Sequence, residues 1–130
     1  MPTVDLIDET FVVADRRVLA DAVHDRQRWL SWWPELTLTV FMDRGLDGIR
    51  WSVTGVWLGS AEIWLEPFAD GVLVHLYLRL DPAGSAPGAR AAARLRRRFA
   101  LRWKQHANAI KDELEDGRPP GTPRGAQGQG

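Results

Sequence analysis

Apolar and polar residues alternate with period two through Gly59–Pro82, GSAEIWLEPFADGVLVHLYLRLDP. Ala61, Ile63 and Leu65 share one face of a first strand, with Glu62, Trp64 and Glu66 on the other. Val72, Val74, Leu76, Leu78 and Leu80 oppose Leu73, His75, Tyr77 and Arg79 on a second strand. Alternation of this kind marks strands with one buried and one polar face. Between them, Pro67 interrupts the ladder and Asp70-Gly71 supplies turn chemistry, so the stretch predicts a β-hairpin. Its apolar face needs an apolar cover.

Upstream, Thr3–Val13 predicts a strand, with imperfect alternation and room for a bulge. Asp15 suits a helix N-cap, and Val18, Leu19, Ala22 and Val23 recur at helical spacing to about His24. A second short helix, about Asp25–Trp32, ends at Trp33, because the residue before Pro34 is pushed out of the α region. Leu36–Asp43 and Ile49–Trp57 predict two more strands, joined by the turn Arg44–Gly48, with Gly55 marking a bend. After a Pro/Gly/Ser loop, Ala92, Leu95, Phe99, Trp103, His106 or Ala107, Ile110 and Leu114 form one stripe along a helix of about Ala89–Glu115. That helix is the natural cover for the sheet. The order of elements predicts an α+β domain over 1–116, with a helix on one face of a curved antiparallel sheet. The Gly/Pro-rich segment 117–130 has no periodicity and predicts a disordered tail.

Composition narrows the chemistry. The 130 residues suit one domain, and a hydrophobic fraction of 45% with 26% charged is that of an ordinary globular chain. Cysteine is absent, which excludes disulfides, thiolate metal sites and Cys nucleophiles. The N-terminus lacks the basic and apolar regions of a secretory signal and no apolar run is long enough for a membrane span, so a cytoplasmic location is expected. His24, His75 and His106 fall on different elements without metal-ligand spacing; no metal and no cofactor is expected, and no phosphate loop or dinucleotide fingerprint occurs. Seven tryptophans are many for this length, and tryptophan suits ligand and partner contacts.

The segments DRQRWLSWWP (Asp25–Pro34), GIRWSV (Gly48–Val53), the hairpin's EIWLEP, DG and HLYLRLDP, and the terminal RRRFALRWKQHANAIKDELE carry a resemblance. In this order they resemble the helix-grip, START-like superfamily of the birch-pollen-allergen type, which includes polyketide cyclases and dehydrases. The resemblance covers roughly residues 3–115. It implies a curved antiparallel sheet wrapped around a long C-terminal helix, two short helices after the first strand, and a cavity between sheet and helix. The superfamily pattern has six strands after the short helices; four are legible here, which implies a smaller cavity.

On that reading Val40, Met42, Trp51, Val53, Ile63, Leu65, Leu76 and Leu78 from the sheet line the cavity, with Phe99 and Trp103 from the helix and Trp32 and Trp33 near the mouth. They would hold a hydrophobic small molecule, lipid or polyketide-like, with cyclase or dehydratase activity as a further implication. The competing outcome is a solid core. The opposite face carries Arg50, Glu62, Trp64, Glu66, His75, Tyr77 and Arg79. It reads as a solvated face of cross-strand pairs, as a docking or homodimer surface through Trp64, His75, Tyr77 and Arg79, or, with the sheet inverted, as a cavity wall in which Glu62 and His75 form an acid/base pair beside Tyr77 and Arg79. The inverted sheet would need its apolar face covered from outside, and one long helix cannot cover both faces. The run Arg90–Lys104 is basic and free of acids. Its aromatics belong to the apolar stripe, so a nucleic-acid partner is disfavoured against a solvated helix back.

Overall fold

A computed structural model describes residues 2–115; the tail expected over 117–130 lies outside them. The chain runs β1 (Val4–Val12), α1 (Arg16–Val23), α2 (Arg26–Trp32), β2 (Thr37–Asp43), a single 3₁₀ turn (Gly45–Asp47), β3 (Gly48–Thr54), β4 (Trp57–Phe68), β5 (Gly71–Pro82) and α3 (Ala89–Leu114). The strands form one antiparallel sheet in the order β1-β5-β4-β3-β2. Four strands follow the short helices, as the sequence indicated. Two boundaries move: Gly55, at φ +99°, ends β3 and Trp57 opens β4, and β4 does not stop at Pro67 but runs to Phe68, with Pro67 opposite Val72.

Cross-strand partners share a face, so the register sorts the side chains. Leu76 stands opposite Ile63 on β4 and Asp8 on β1, and Ile63 stands opposite Ile49 on β3. This inner face is apolar and buried, and Phe99, Trp103, Ala107 and Ile110 of α3 are buried with it. Of the two candidates for one position on the helix stripe, Ala107 is buried and His106 is only half buried. The imperfect alternation of β1 has a cause. Its inner face carries Asp8 and Thr10, which meet polar groups of α3: Trp103 Nε1 donates to Asp8 at 3.2 Å and Lys104 Nζ to Thr10 at 3.0 Å.

Both short helices are capped by an aspartate, α1 by Asp15 as the sequence predicts and α2 by Asp25, which the sequence pattern places inside the helix. Asp15 accepts from the Arg17 amide at 2.8 Å, and Asp25 accepts from the Gln27 amide at 3.0 Å. The ion pair of Arg28 with Glu113 (2.6 Å) and that of Arg102 with Glu35 (2.7 Å) tie α2 and its exit loop to α3. On β2 the register shifts between Val40 and Met42. This bulge turns Met42 to the side of Arg50 and places Asp43 beside Ile49. Asp43 then accepts from the Gly45 amide at 2.8 Å and meets His24 Nε2 at 2.8 Å. These contacts, the Gly45 N–H foremost, hold the Asp43 carboxyl below its ordinary pKa. Among the described residues no helix is long and apolar enough to cross a membrane.

Candidate functional site

Five tryptophans meet between the sheet and α3. The spacing of Trp29, Trp32 and Trp33 sets all three on the buried side of α2 and its C-cap. Trp51 comes from β3 and Trp103 from α3. Trp33 stacks on Trp103 with ring centroids 5.6 Å apart and planes 19° from parallel. The remaining contacts are edge-to-face: Trp29 to Trp51 at 5.1 Å, Trp32 to Trp103 at 5.3 Å, Trp32 to Trp33 at 5.5 Å and Trp33 to Trp51 at 5.7 Å. Pairs at this spacing are favourable beyond the area they bury.

The indole N–H groups of this cage differ. Trp29 Nε1 donates to the Val23 carbonyl at 2.7 Å and Trp103 Nε1 to Asp8. Trp51 Nε1 is buried and meets no acceptor, although its ring is only 1% exposed. A buried donor without a partner costs about 1–3 kcal/mol, so this one stands out. Trp29 also lines a surface hollow of about 200 Å³, with Leu30, Leu36, Leu38 and Arg26 around it. The hollow and the cage therefore share one indole.

The sequence-predicted lining residues divide. Trp32, Trp33, Trp51, Val53, Ile63, Leu65, Leu76, Leu78, Phe99 and Trp103 are all buried on the inner side, packed in one cluster. Val40 and Met42 do not join them; they are 44% and 45% exposed. Val40 keeps the inner orientation, but β2 is the last strand of the sheet. Met42 is turned to the outer face by the bulge, which alternation counted from Leu36 does not foresee. Trp29 was not singled out from the sequence. Its spacing of three and four to Trp32 and Trp33 was the available signal.

The candidate catalytic residues Glu62, His75, Tyr77 and Arg79 stand on the outer face, away from α3. The inverted arrangement, with this face lining a cavity, is thereby corrected. Nor do Glu62 and His75 pair. Glu62 lies opposite Tyr77 and binds Arg44 at 2.8 Å and Arg50 at 3.5 Å. His75, only 5% exposed, meets Glu66 at 3.0 Å through Nε2 and Glu9 at 3.6 Å through Nδ1. The half-buried Trp64 ring lies over His75 at 4.3 Å, and Tyr77 follows at 6.4 Å. Arg79 reaches Asp5 at 3.5 Å. A hollow of about 320 Å³ opens on this side between Asp5, Ile7, Arg50, Glu62, Tyr77 and Arg79. Among the described residues no three His, Asp or Glu side chains gather closely enough to hold a metal ion.

No protein-family profile and no curated protein sequence matches this chain. Solved structures do. The DR_A0006 protein of Deinococcus radiodurans aligns with a TM-score of 0.63 at 14% identity, over 88% of this chain and 99% of that one. The Aha1 dimer from Colwellia psychrerythraea aligns with a TM-score of 0.61 at 14% identity, over 89% and 99%. Ara h 8.0201 follows with a TM-score of 0.52 at 11% identity, over 86% and 97%. The chain has the helix-grip fold of the START-like, birch-pollen-allergen type. At these identities the likeness carries the fold and nothing finer. In helix-grip terms, the cage occupies the space between the grip helix and the sheet.

Proposed function

We propose that this protein binds and carries a hydrophobic small molecule, lipid or polyketide-like, that bears a hydrogen-bond acceptor. The ligand takes the space between sheet and α3 that the tryptophan cage fills in its closed state. One observation carries this reading: the N–H of Trp51, a ring packed edge-to-face on Trp29 and Trp33, is buried without an acceptor. A ligand carbonyl or hydroxyl satisfies that donor, and the apolar remainder replaces indole–indole contacts with ligand–indole contacts. Ligand sites combine apolar walls with a few placed polar groups in this way. The route in is the hollow beside α2, where Trp29 separates solvent from Trp51. Arg26 at its rim suits an anionic head group.

Holding a ligand is better supported than transforming one. Glu62, His75, Tyr77 and Arg79 lie across the sheet from the cage and cannot reach a ligand inside it. A cyclase or dehydratase activity would have to rest on shaping the bound chain.

The test is native mass spectrometry of the purified protein beside a denatured, solvent-extracted aliquot. The expected result is a co-purifying apolar compound, or tryptophan quenching on titration with a long-chain fatty acid or an aromatic polyketide. A ligand-free protein whose fluorescence responds to neither compound overturns the reading.

A further inference from the structure

The two edges of the sheet are treated differently. Along β1 and the residues on either side of it, side chains of α3 and of its C-cap Glu115 take up backbone groups. Arg96 donates to the Thr3 carbonyl at 3.3 Å, Lys104 to Glu9 at 3.1 Å and Lys111 to Phe11 at 2.8 Å, while the Val13 amide donates to Glu115 at 2.9 Å. Unpaired strand edges template further pairing, and covering them is the usual remedy. Among the described residues nothing covers β2 in this way. Its sequence, TLTVFMD, has no lysine, proline or glycine, and its one charge is terminal. That charge, Asp43, is turned back toward His24 and Gly45. Val40, Phe41 and Met42 are 44%, 63% and 45% exposed, and Leu30 of α2, 55% exposed, adds to the apolar surface beside Leu38.

We propose that β2 is a homodimer interface, pairing antiparallel with β2 of a second copy about a two-fold axis at Thr39. The faces decide the register. Leu38 and Val40 point inward and Thr37 and Thr39 outward, on the sides of Val53, Trp51, Thr54 and Ser52 respectively. A two-fold at Thr39 sets Leu38 against the partner's Val40 and Thr37 against the partner's Phe41. It brings the two Thr39 side chains together, a favourable cross-strand pair. Asp43 falls beyond the paired segment, so no like charges oppose. The bulge at Phe41 ends the regular part of the strand, so the pairing runs from Thr37 to Phe41 and no further. Self-complementarity in composition, face and charge is what favours a second copy over an unrelated partner. This inference does not depend on the ligand reading.

The chain has no cysteine, which makes a single introduced thiol a clean probe. Directly opposed residues of an antiparallel pair have Cα atoms ~4.5–5.5 Å apart, which suits a disulfide. Thr39→Cys is expected to give a covalent dimer on mild oxidation. Ile7→Cys, at a site 67% exposed on the outer sheet face, is expected to stay monomeric on a non-reducing gel. In size-exclusion chromatography with light scattering, Phe41→Lys is expected to raise the dimer dissociation constant by at least ~10-fold. Thr39, Ile7 and Phe41 are solvent-facing, so these variants keep the fold, which circular dichroism checks. A chain monomeric throughout the concentration series overturns the proposal. So does a Phe41→Lys dimer as tight as the parent, or cross-linking through Ile7→Cys instead of Thr39→Cys.

Discussion

The Trp103 indole N–H donates to the Asp8 carboxylate at 3.2 Å, across the gap between the long helix and the first strand. Asp8 also accepts from Lys104 at 3.2 Å and from the Thr10 hydroxyl at 3.1 Å. Asp8, on the inner face of β1, therefore ties α3 to that strand. It also fixes the indole on which Trp33 stacks.

Asp8→Ala is expected to leave the Trp103 N–H and the Thr10 hydroxyl without their acceptor. Loss of a partner to a buried donor costs ~1–3 kcal/mol, so a stability loss of about 2 kcal/mol is expected in urea denaturation. Asp8→Asn keeps one carbonyl acceptor and should lose roughly half as much. Equal losses for the two variants would mean that Lys104 pairing, and not the indole, carries the effect.

Gly59 adopts φ +153°, and a Cβ there would lie 1.9 Å from the Arg79 carbonyl oxygen. That oxygen belongs to the backbone of β5 and cannot yield without breaking the β4–β5 ladder. Gly59→Ala is expected to cost more than about 2 kcal/mol. Gly84→Ala, where an added Cβ meets nothing within 4 Å, should be close to neutral. Thermal unfolding of the pair compares them directly.

Burial, helped by the positive charge of Arg102, lowers the His106 pKa from 6.5. A group whose folded pKa lies below its unfolded one binds protons more readily in the unfolded chain, so stability falls as the pH drops below 6.5. His106→Gln should remove that component. The stability difference between parent and variant is expected to be flat above pH 6.5 and to shift in favour of the variant below it. A difference that does not change with pH would place His106 fully in solvent. The Asp43 carboxyl, lowered by the Gly45 amide and His24, adds an acid limb below pH 3.8, which Asp43→Asn should remove.

Strand alternation and the helical stripe placed the sheet, the buried face and α3 correctly, because each reflects a period set by backbone geometry. Local geometry did not say what lies across a strand pair. Glu66 and Glu9 reach His75 because β4 and β1 flank β5 in a particular register, and sequence spacing alone does not fix that register. The Phe41 bulge was hidden for the same reason. It adds one residue to an unbroken apolar run, with neither glycine nor proline to mark it. Nor did the pattern distinguish side chains that line a space from side chains that fill it. Trp33 and Trp103 satisfy both readings until their rings are seen stacked.

That last ambiguity can be resolved at Trp29, which separates the hollow beside α2 from the centre of the cage. If the cage is a closed ligand site, a smaller side chain there should join hollow and cage and admit a probe. Trp29→Leu is expected to bind anilinonaphthalene sulfonate at least ~10-fold more tightly than the parent, a difference of about 1.4 kcal/mol. Arg26→Gln in the same background should cancel part of the gain, because Arg26 at the rim faces the sulfonate. Large-to-small core changes cost ~2–5 kcal/mol, and loosened proteins bind this dye non-specifically, so a second tryptophan serves as control. Trp57→Leu removes an equally large ring that packs on Phe99, outside the cage, with centroids 5.6 Å apart. Tight binding by Trp29→Leu alone marks a site that opens. Equal binding by both variants marks general loosening, and no gain in either, with the fold intact by circular dichroism, marks a core whose tryptophans serve packing only.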